Sequence, residues 1–299
     1  MPELPEVHAL VTDLGSRLTG RVVDRFDLLS FSALKTFNPP VSSLGSRTIG
    51  PITRHGKYLD IAFDQTDGDR DGNGNGNRLH LLVHLARAGW IRWRDAAPKP
   101  SAAPGRGALA ARLVLDDGSG FDITEAGTKK SLAIHLVRDA AEVPRIASLG
   151  PDPLDAGFTE SVFAGILAGA GRSQIKGLLR NQAVIAGIGN AYSDEILHVA
   201  KMSPYAPASM TPENTAVLFA AIQSTLKAAI ARADGLAASE LKREKKSHLR
   251  VHGRAGESCP VCGDVVRQVR FADSSLEYCA TCQTNGKPLA DRVLSRLLK

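Results

Sequence analysis

The chain has 299 residues, a formal net charge of +6 and a pI near 9.2, with 43% hydrophobic and 23% charged residues. These proportions exclude wholesale disorder, and the length predicts two substantial domains with a small appendage. The basic balance favours a polyanionic partner such as nucleic acid. No 18 apolar residues run uninterrupted, and no signal peptide pattern opens the chain, so a cytoplasmic protein with no membrane partner is expected.

In chain order, Leu4, Val7, Leu10, Val11, Leu14 and Leu18 recur at helical spacing, with Gly20 placed to end a helix. Short runs of strand character follow at 21–29, 58–63, 79–85, 89–93, 112–115, 120–124 and 132–137, a spacing that predicts a β-sandwich. The Asp-, Gly- and Asn-rich stretch 64–77 and the Pro-, Ala- and Gly-rich stretch 95–107 are expected as surface loops, and neither has a phosphate-loop pattern. Ser148 to Pro153 resembles a linker, because its prolines disfavour helix and central strand.

Beyond it the periodicity becomes helical, over 158–168, 175–181, 190–200 and 211–233, with Thr211-Pro212 a cap followed by proline at the first helical position. The expected class is α+β. An N-terminal helix plus β-sandwich spans 1–140, a helical domain 148–250, and a zinc-finger hairpin 251–299.

The four cysteines all fall in the last 41 residues, as Cys259-x-x-Cys262 and Cys279-x-x-Cys282 with 16 residues between the pairs. Two such pairs at this separation predict a four-thiolate zinc site joined by a β-hairpin. Four thiolates fill a tetrahedral zinc and leave no open position, so the ion is expected to be structural and no organic cofactor is expected. Arg267 and Arg270 lie between the pairs, while Lys242, Arg243, Lys245, Lys246, Arg250 and Arg254 crowd the approach. A Lys-rich run is usually a solvated face; beside a zinc hairpin in a basic protein, phosphate contact is the better reading.

The start, Met1-Pro2-Glu3-Leu4-Pro5-Glu6-Val7, has a different chemistry. Removal of Met1 would leave Pro2 as a secondary amine whose ordinary pKa, near 8, keeps a fraction neutral at pH 7. Such an amine attacks carbonyl-like carbons and gives an iminium.

These residues resemble the formamidopyrimidine-DNA glycosylase and endonuclease VIII family over nearly the whole chain. Arg54-His55-Gly56-Lys57 is similar to the family's catalytic lysine turn, and His84-Leu85 with Gly89 to a neighbouring strand. Gln174-Ile175-Lys176 through Gly187-Ile188-Gly189-Asn190 to Glu195 resembles its helix, two turns, helix element. Val251-His252-Gly253-Arg254 then leads into the zinc hairpin as in the family. Gly187 and Gly189 would let the backbone approach a phosphate, with Asn190 as a side-chain donor at a helix start; a tight turn alone would explain the glycines as well.

The resemblance implies a bifunctional DNA glycosylase and AP lyase acting on damaged DNA; the cytoplasmic placement puts it with the nucleoid, and a monomer is the default expectation because the sequence offers no oligomerisation signal. Pro2 would attack the anomeric carbon, Glu3 would handle the sugar-ring proton, and Lys57 would act as an acid or phosphate ligand. Glu6 would either hold the amine or serve the helix dipole. Lys176, Gly187, Gly189, Asn190, Arg254, Arg267 and Arg270 would grip DNA.

The chain departs from the family pattern at four places. Arg87 stands near a methionine that fills the gap of the flipped base, and the turn 125–129 replaces one carrying an arginine and a phenylalanine. Ser274 stands where an arginine assists the second elimination, and Asn181 where an aspartate is common. The competing expectation is a non-catalytic protein that binds damaged DNA.

Overall fold

The structure is a computed structural model that describes residues 1–65, 78–98, 108–271 and 274–290. It forms two compact units, one of residues 1–148 with 233–242, the other of 149–232 with 243–299. Most of both expected loop stretches, residues 66–77 and 99–107, lies outside the described residues.

The first unit begins with α1, Leu4–Leu18, which buries Leu4, Leu10, Leu14 and Leu18 on one face. The helix ends at Thr19, and Gly20 then takes φ +81, the left-handed region where glycine is least strained. Two antiparallel four-stranded sheets follow. One has the order β1 (Val23–Leu28), β6 (Leu109–Leu115), β7 (Gly120–Glu125), β5 (Gly89–Arg94); the other runs β2 (Thr48–His55), β3 (Tyr58–Asp64), β4 (Leu79–His84), β8 (Ala133–Val137).

Alternation sends Leu59, Ile61 and Phe63 of β3, Leu79, Leu81 and Val83 of β4, and Phe121 and Ile123 of β7 into one core shared with α1. Each such side chain contributes roughly 1.5–3 kcal/mol by leaving water. Strand β2 escapes the sequence reading. Gly50 and Pro51 break its alternation, and the register slips between Ile49 and Ile52; an edge strand tolerates both, beyond the short bridge from residues 20–22 to Thr48 and Ile49. The outer face of the second sheet is partly covered by α2 (Pro144–Ala147) and the turn before it, where Tyr58, Leu82, Val137, Ala140 and Val143 cluster.

The second unit contains α3 (Glu160–Ala170), α4 (Ile175–Arg180), α5 (Asn190–Val199) and α6 (Pro212–Ala233). Among the described residues α6 is the one helix long and apolar enough to cross a membrane. Its buried residues Leu218, Ile222, Leu226 and Ala229 form a single stripe, the pattern of a core helix. Helix α7 (Leu241–His248) arises from the Lys- and Arg-rich run, whose few apolar residues conceal it from a hydrophobic pattern. The hairpin of β9 (Val266–Arg270) and β10 (Ser275–Cys279) and the short α8 (Ala280–Thr284) complete the unit.

Residues 233–242 leave the helical half to join the first core. Trp90 Nε1 donates to the Ala238 carbonyl at 2.9 Å, the Ala238 N–H donates to Asp13 Oδ2 at 3.1 Å, and the Lys242 ammonium sits 4.5 Å from the Trp90 ring centroid.

Candidate functional site

In the first unit, Pro2, Glu3 and Glu6 are all buried at the start of α1. Glu6 Oε2 accepts the Glu3 N–H at 2.8 Å, so this carboxylate caps the helix one residue from Pro2. Such a cap stabilises by about 1 kcal/mol. Lys57 follows Gly56, whose φ of +56 closes the tight β2–β3 turn, and its side chain is buried despite its charge.

The surroundings of that turn are cationic. Burial, then the charges of Lys57, Arg145 and His135, lower the His84 imidazole to about 4, so it is neutral at pH 7. Its ring lies 4.8 Å from that of Tyr58. On the same strands Asp60 accepts from His55 Nε2 at 2.9 Å and His80 Nδ1 at 2.9 Å; burial would raise its pKa, but these bonds hold it low.

The departures have local explanations. Glu125 Oε1 accepts the N–H groups of Ser131 and Leu132 at 2.6 and 2.8 Å, which orders the turn that stands in the place of the void-filling residues. Arg87 is exposed. Asn181 Oδ1 accepts the Ala183 N–H at 3.1 Å, a turn an aspartate would form equally well. Ser274 sits in the β9–β10 connection, its carbonyl accepting from Phe271 N–H at 2.8 Å.

In the second unit, Gln182 organises the connection between α4 and α5. Its Oε1 accepts the Gly187 N–H at 2.9 Å and its Nε2 donates to the Ile188 carbonyl at 2.7 Å, while Gly187 takes φ +87. Gly189 precedes α5 and Asn190 opens it. The Asn190 amide donates to the Ser275 carbonyl of β10 at 2.7 Å, and its Oδ1 is buried without a hydrogen-bond partner.

Lys176 is only 5% exposed and is engaged internally: its ammonium donates to Ser193 Oγ at 2.9 Å and pairs with Asp194. Asp194 Oδ2 in turn accepts from His252 Nδ1 at 2.8 Å, and Glu277 Oε2 lies 2.9 Å from the same nitrogen. Burial would lower the His252 pKa, but the hydrogen bond to Asp194 and the two negative charges outweigh it and raise the imidazole to about 9. Neighbouring Glu195 accepts three backbone N–H groups, from Arg250, Val251 and His252, at 2.7 to 2.9 Å.

Sequence reasoning missed this network. The signal available was the Asp194-Glu195 pair flanked by Ala191, Tyr192, Ile196 and Leu197 in one helix, where two adjacent buried carboxylates require partners.

The four cysteine sulfurs, with His198 beside them, form the zinc centre. All four lie within 4.8 Å of one another. The Cys262–Cys279 and Cys259–Cys282 sulfurs are 3.4 and 3.9 Å apart, which brackets the edge of about 3.8 Å set by Zn–S bonds of about 2.3 Å in a tetrahedron. The donor set fits structural zinc. Arg267 and Arg270 are exposed on β9, while its Val266 and Val269 are buried; Arg254 is partly exposed and pairs with Glu257 at 2.7 Å.

Together the sandwich, the glycine-turned helix pair and the thiolate hairpin define an α+β protein of the zinc-finger DNA glycosylase class. Residues 1–129 match the family model of the formamidopyrimidine-DNA glycosylase N-terminal domain, 149–240 that of the formamidopyrimidine-DNA glycosylase H2TH domain, and 256–285 that of the zinc finger found in FPG and IleRS.

The formamidopyrimidine-DNA glycosylase of Symbiobacterium thermophilum is 33% identical over 296 residues, covering 95% of this chain and 89% of that one. An uncharacterized formamidopyrimidine-DNA glycosylase-like protein of Mycobacterium tuberculosis is 54% identical over 160 residues, covering 53% of this chain and 99% of its own. The structure of the Lactococcus lactis enzyme bound non-covalently to AP-site DNA superposes with a TM-score of 0.75 at 26% identity, covering 94% of this chain and 99% of that one. The chain belongs to the formamidopyrimidine-DNA glycosylase family.

Proposed function

We propose that this protein is a bifunctional DNA glycosylase and AP lyase that excises damaged bases through a Schiff base on Pro2. The observation that carries the reading is the conjunction of buried Pro2 and Glu3 at the head of α1 with Lys57 at the β2–β3 turn, in a chain similar end to end to glycosylases of this family.

After loss of Met1, the Pro2 nitrogen attacks the anomeric carbon while the bond to the damaged base breaks and the base leaves with a proton. Glu3 serves the sugar-ring oxygen, which opens to leave an iminium between protein and sugar. The adjacent carbon then loses a proton, and the strand is cut by elimination of the phosphate. Water releases the amine. Lys57 donates to the leaving oxygen or to a phosphate. Zinc holds the hairpin that presents Arg267 and Arg270 and takes no part in bond breaking.

Asn190, the backbone at Gly187 and Gly189, and Arg254 complete the grip on the phosphates. Lys176 acts through Asp194 and Ser193, by positioning the start of α5. The base to be removed must leave the stack, which favours poorly paired lesions. The protein works as a monomer in the cytoplasm, with the nucleoid.

The test is borohydride reduction of the full chain with DNA containing one abasic site, beside Pro2→Gly. A covalent adduct formed by the native chain and weakened in the variant is expected. Tight binding without any adduct would make the chain a damage-binding protein instead, a reading favoured by Arg87 and the turn 125–129 in place of the void fillers.

A further inference from the structure

The last turn of helix α5 carries a histidine that points at the metal centre. His198 is 2% exposed, and its Nε2 lies 3.3 Å from the sulfur of Cys259, which is 3% exposed. A zinc-bound thiolate can only accept a hydrogen bond, so the shared proton belongs to Nε2. The other nitrogen, Nδ1, is buried without a hydrogen-bond partner and is then an unprotonated lone pair. The imidazole is thus neutral and its tautomer is fixed by the sulfur.

We propose that His198 is the outer-sphere donor of the zinc centre, its Nε2–H bonded to the Cys259 thiolate, and that this bond ties metal occupancy to the placement of α5. The same helix is fastened at its other end, where the Asn190 amide donates to the Ser275 carbonyl of β10. Both attachments belong to the zinc-finger segment, so the metal holds the helix whose first residue is the candidate phosphate donor. An N–H donor also withdraws charge from the thiolate and lowers its reactivity towards electrophiles. Cys262, by contrast, is exposed, and burial does not shield it.

The test uses the full zinc-loaded chain and reads transfer of zinc to a colorimetric chelator during titration with an organomercurial. His198→Leu removes the donor, and His198→Gln places an amide nitrogen near the position of Nε2. With removal of an outer-sphere partner costing 10- to 100-fold in metal affinity, His198→Leu should release zinc roughly ten-fold faster, and His198→Gln within a factor of about three of the native rate.

Release from His198→Leu at the native rate would overturn the proposal, and so would equal acceleration in both variants, which would make His198 a packing residue. Should His198→Leu fail to fold, the native chain loaded with ¹¹³Cd decides: a scalar coupling from the His198 Nε2 proton to cadmium through the sulfur is expected. Its absence, or direct nitrogen–cadmium coupling of a ligated imidazole, would overturn the proposal.

Discussion

His252 and Asp194 meet at 2.8 Å, an imidazole from the approach to the zinc finger against a carboxylate of α5 with no exposed side-chain surface. Nδ1 has one proton, directed to Asp194, so its 2.9 Å contact with Glu277 Oε2 is electrostatic. Asp194 and Glu277 face His252 and Lys176 in one interior, so an imidazole that loses its proton leaves buried carboxylate charge without its opposing cation.

This fixes the sign of a pH dependence. The His252 pKa is raised from 6.5 to about 9, so its contribution is complete below pH 6.5 and is lost as pH rises through 9. The upper bound is roughly 3 kcal/mol, from 1.36 kcal/mol per pKa unit. Chemical denaturation of the zinc-loaded chain should show stability falling between pH 6.5 and 9, and His252→Gln should start lower and flatten that slope. An unchanged slope in the variant would refute the assignment.

His84 gives the opposite case. Its pKa is lowered to about 4, so folding favours the neutral ring, and its contribution is present above pH 6.5 and lost as pH falls towards 4. NMR titration of its ring protons should show a midpoint near 4 in the free protein. Removing the Lys57 charge as Lys57→Met should raise that midpoint, since Lys57 is the first of the charges that depress it.

Glu6 separates capping from chemistry. Glutamine can still accept the Glu3 N–H through its amide oxygen, so Glu6→Gln should cost under about 1 kcal/mol in thermal denaturation and retain borohydride trapping. Loss of trapping in a folded Glu6→Gln chain would assign the carboxylate to the Pro2 amine instead.

Arg267 and Arg270 are exposed on β9, where they face solvent across from Tyr278 and Ser275. If each contacts one phosphate, Arg267→Ala and Arg270→Ala should each reduce the slope of log K against log salt by about 1. Binding isotherms on abasic-site duplex at several salt concentrations measure it.

Cys279→Ser should abolish stoichiometric zinc. The two small clusters of the hairpin, Val251, Cys259, Val266 and Cys279 beside the metal and Val269, Leu276, Tyr278 and Ala280 away from it, are too small to hold it without the ion, so β9 and β10 should lose their amide protection while β3, β4 and β7 keep theirs. Hydrogen exchange followed by mass spectrometry reads both regions in one experiment.

Much of this molecule is written locally. The leucine spacing of α1, the alternation of β3, β4 and β7, the Thr211-Pro212 start of α6 and the paired CxxC units each declare an element or a metal site through the chemistry of neighbours in the chain. The run from Pro2 to Val7 marks the candidate nucleophile for the same reason, because an N-terminal proline amine is a property of the covalent chain.

Other features depend on partners far away in the sequence. Strand β2 exists because β3 supplies its ladder, despite Gly50 and Pro51. Residues 233–242 join the first core because Asp13 and Trp90 provide partners more than 140 positions earlier. Lys176 reads as a phosphate ligand until Asp194 takes up its charge, and Asp194 is tolerable in a core because Lys176 and, from the zinc-finger approach, His252 both reach it. Local pattern reports what a segment prefers in itself; a buried charge is decided by which opposite charge the fold delivers to it.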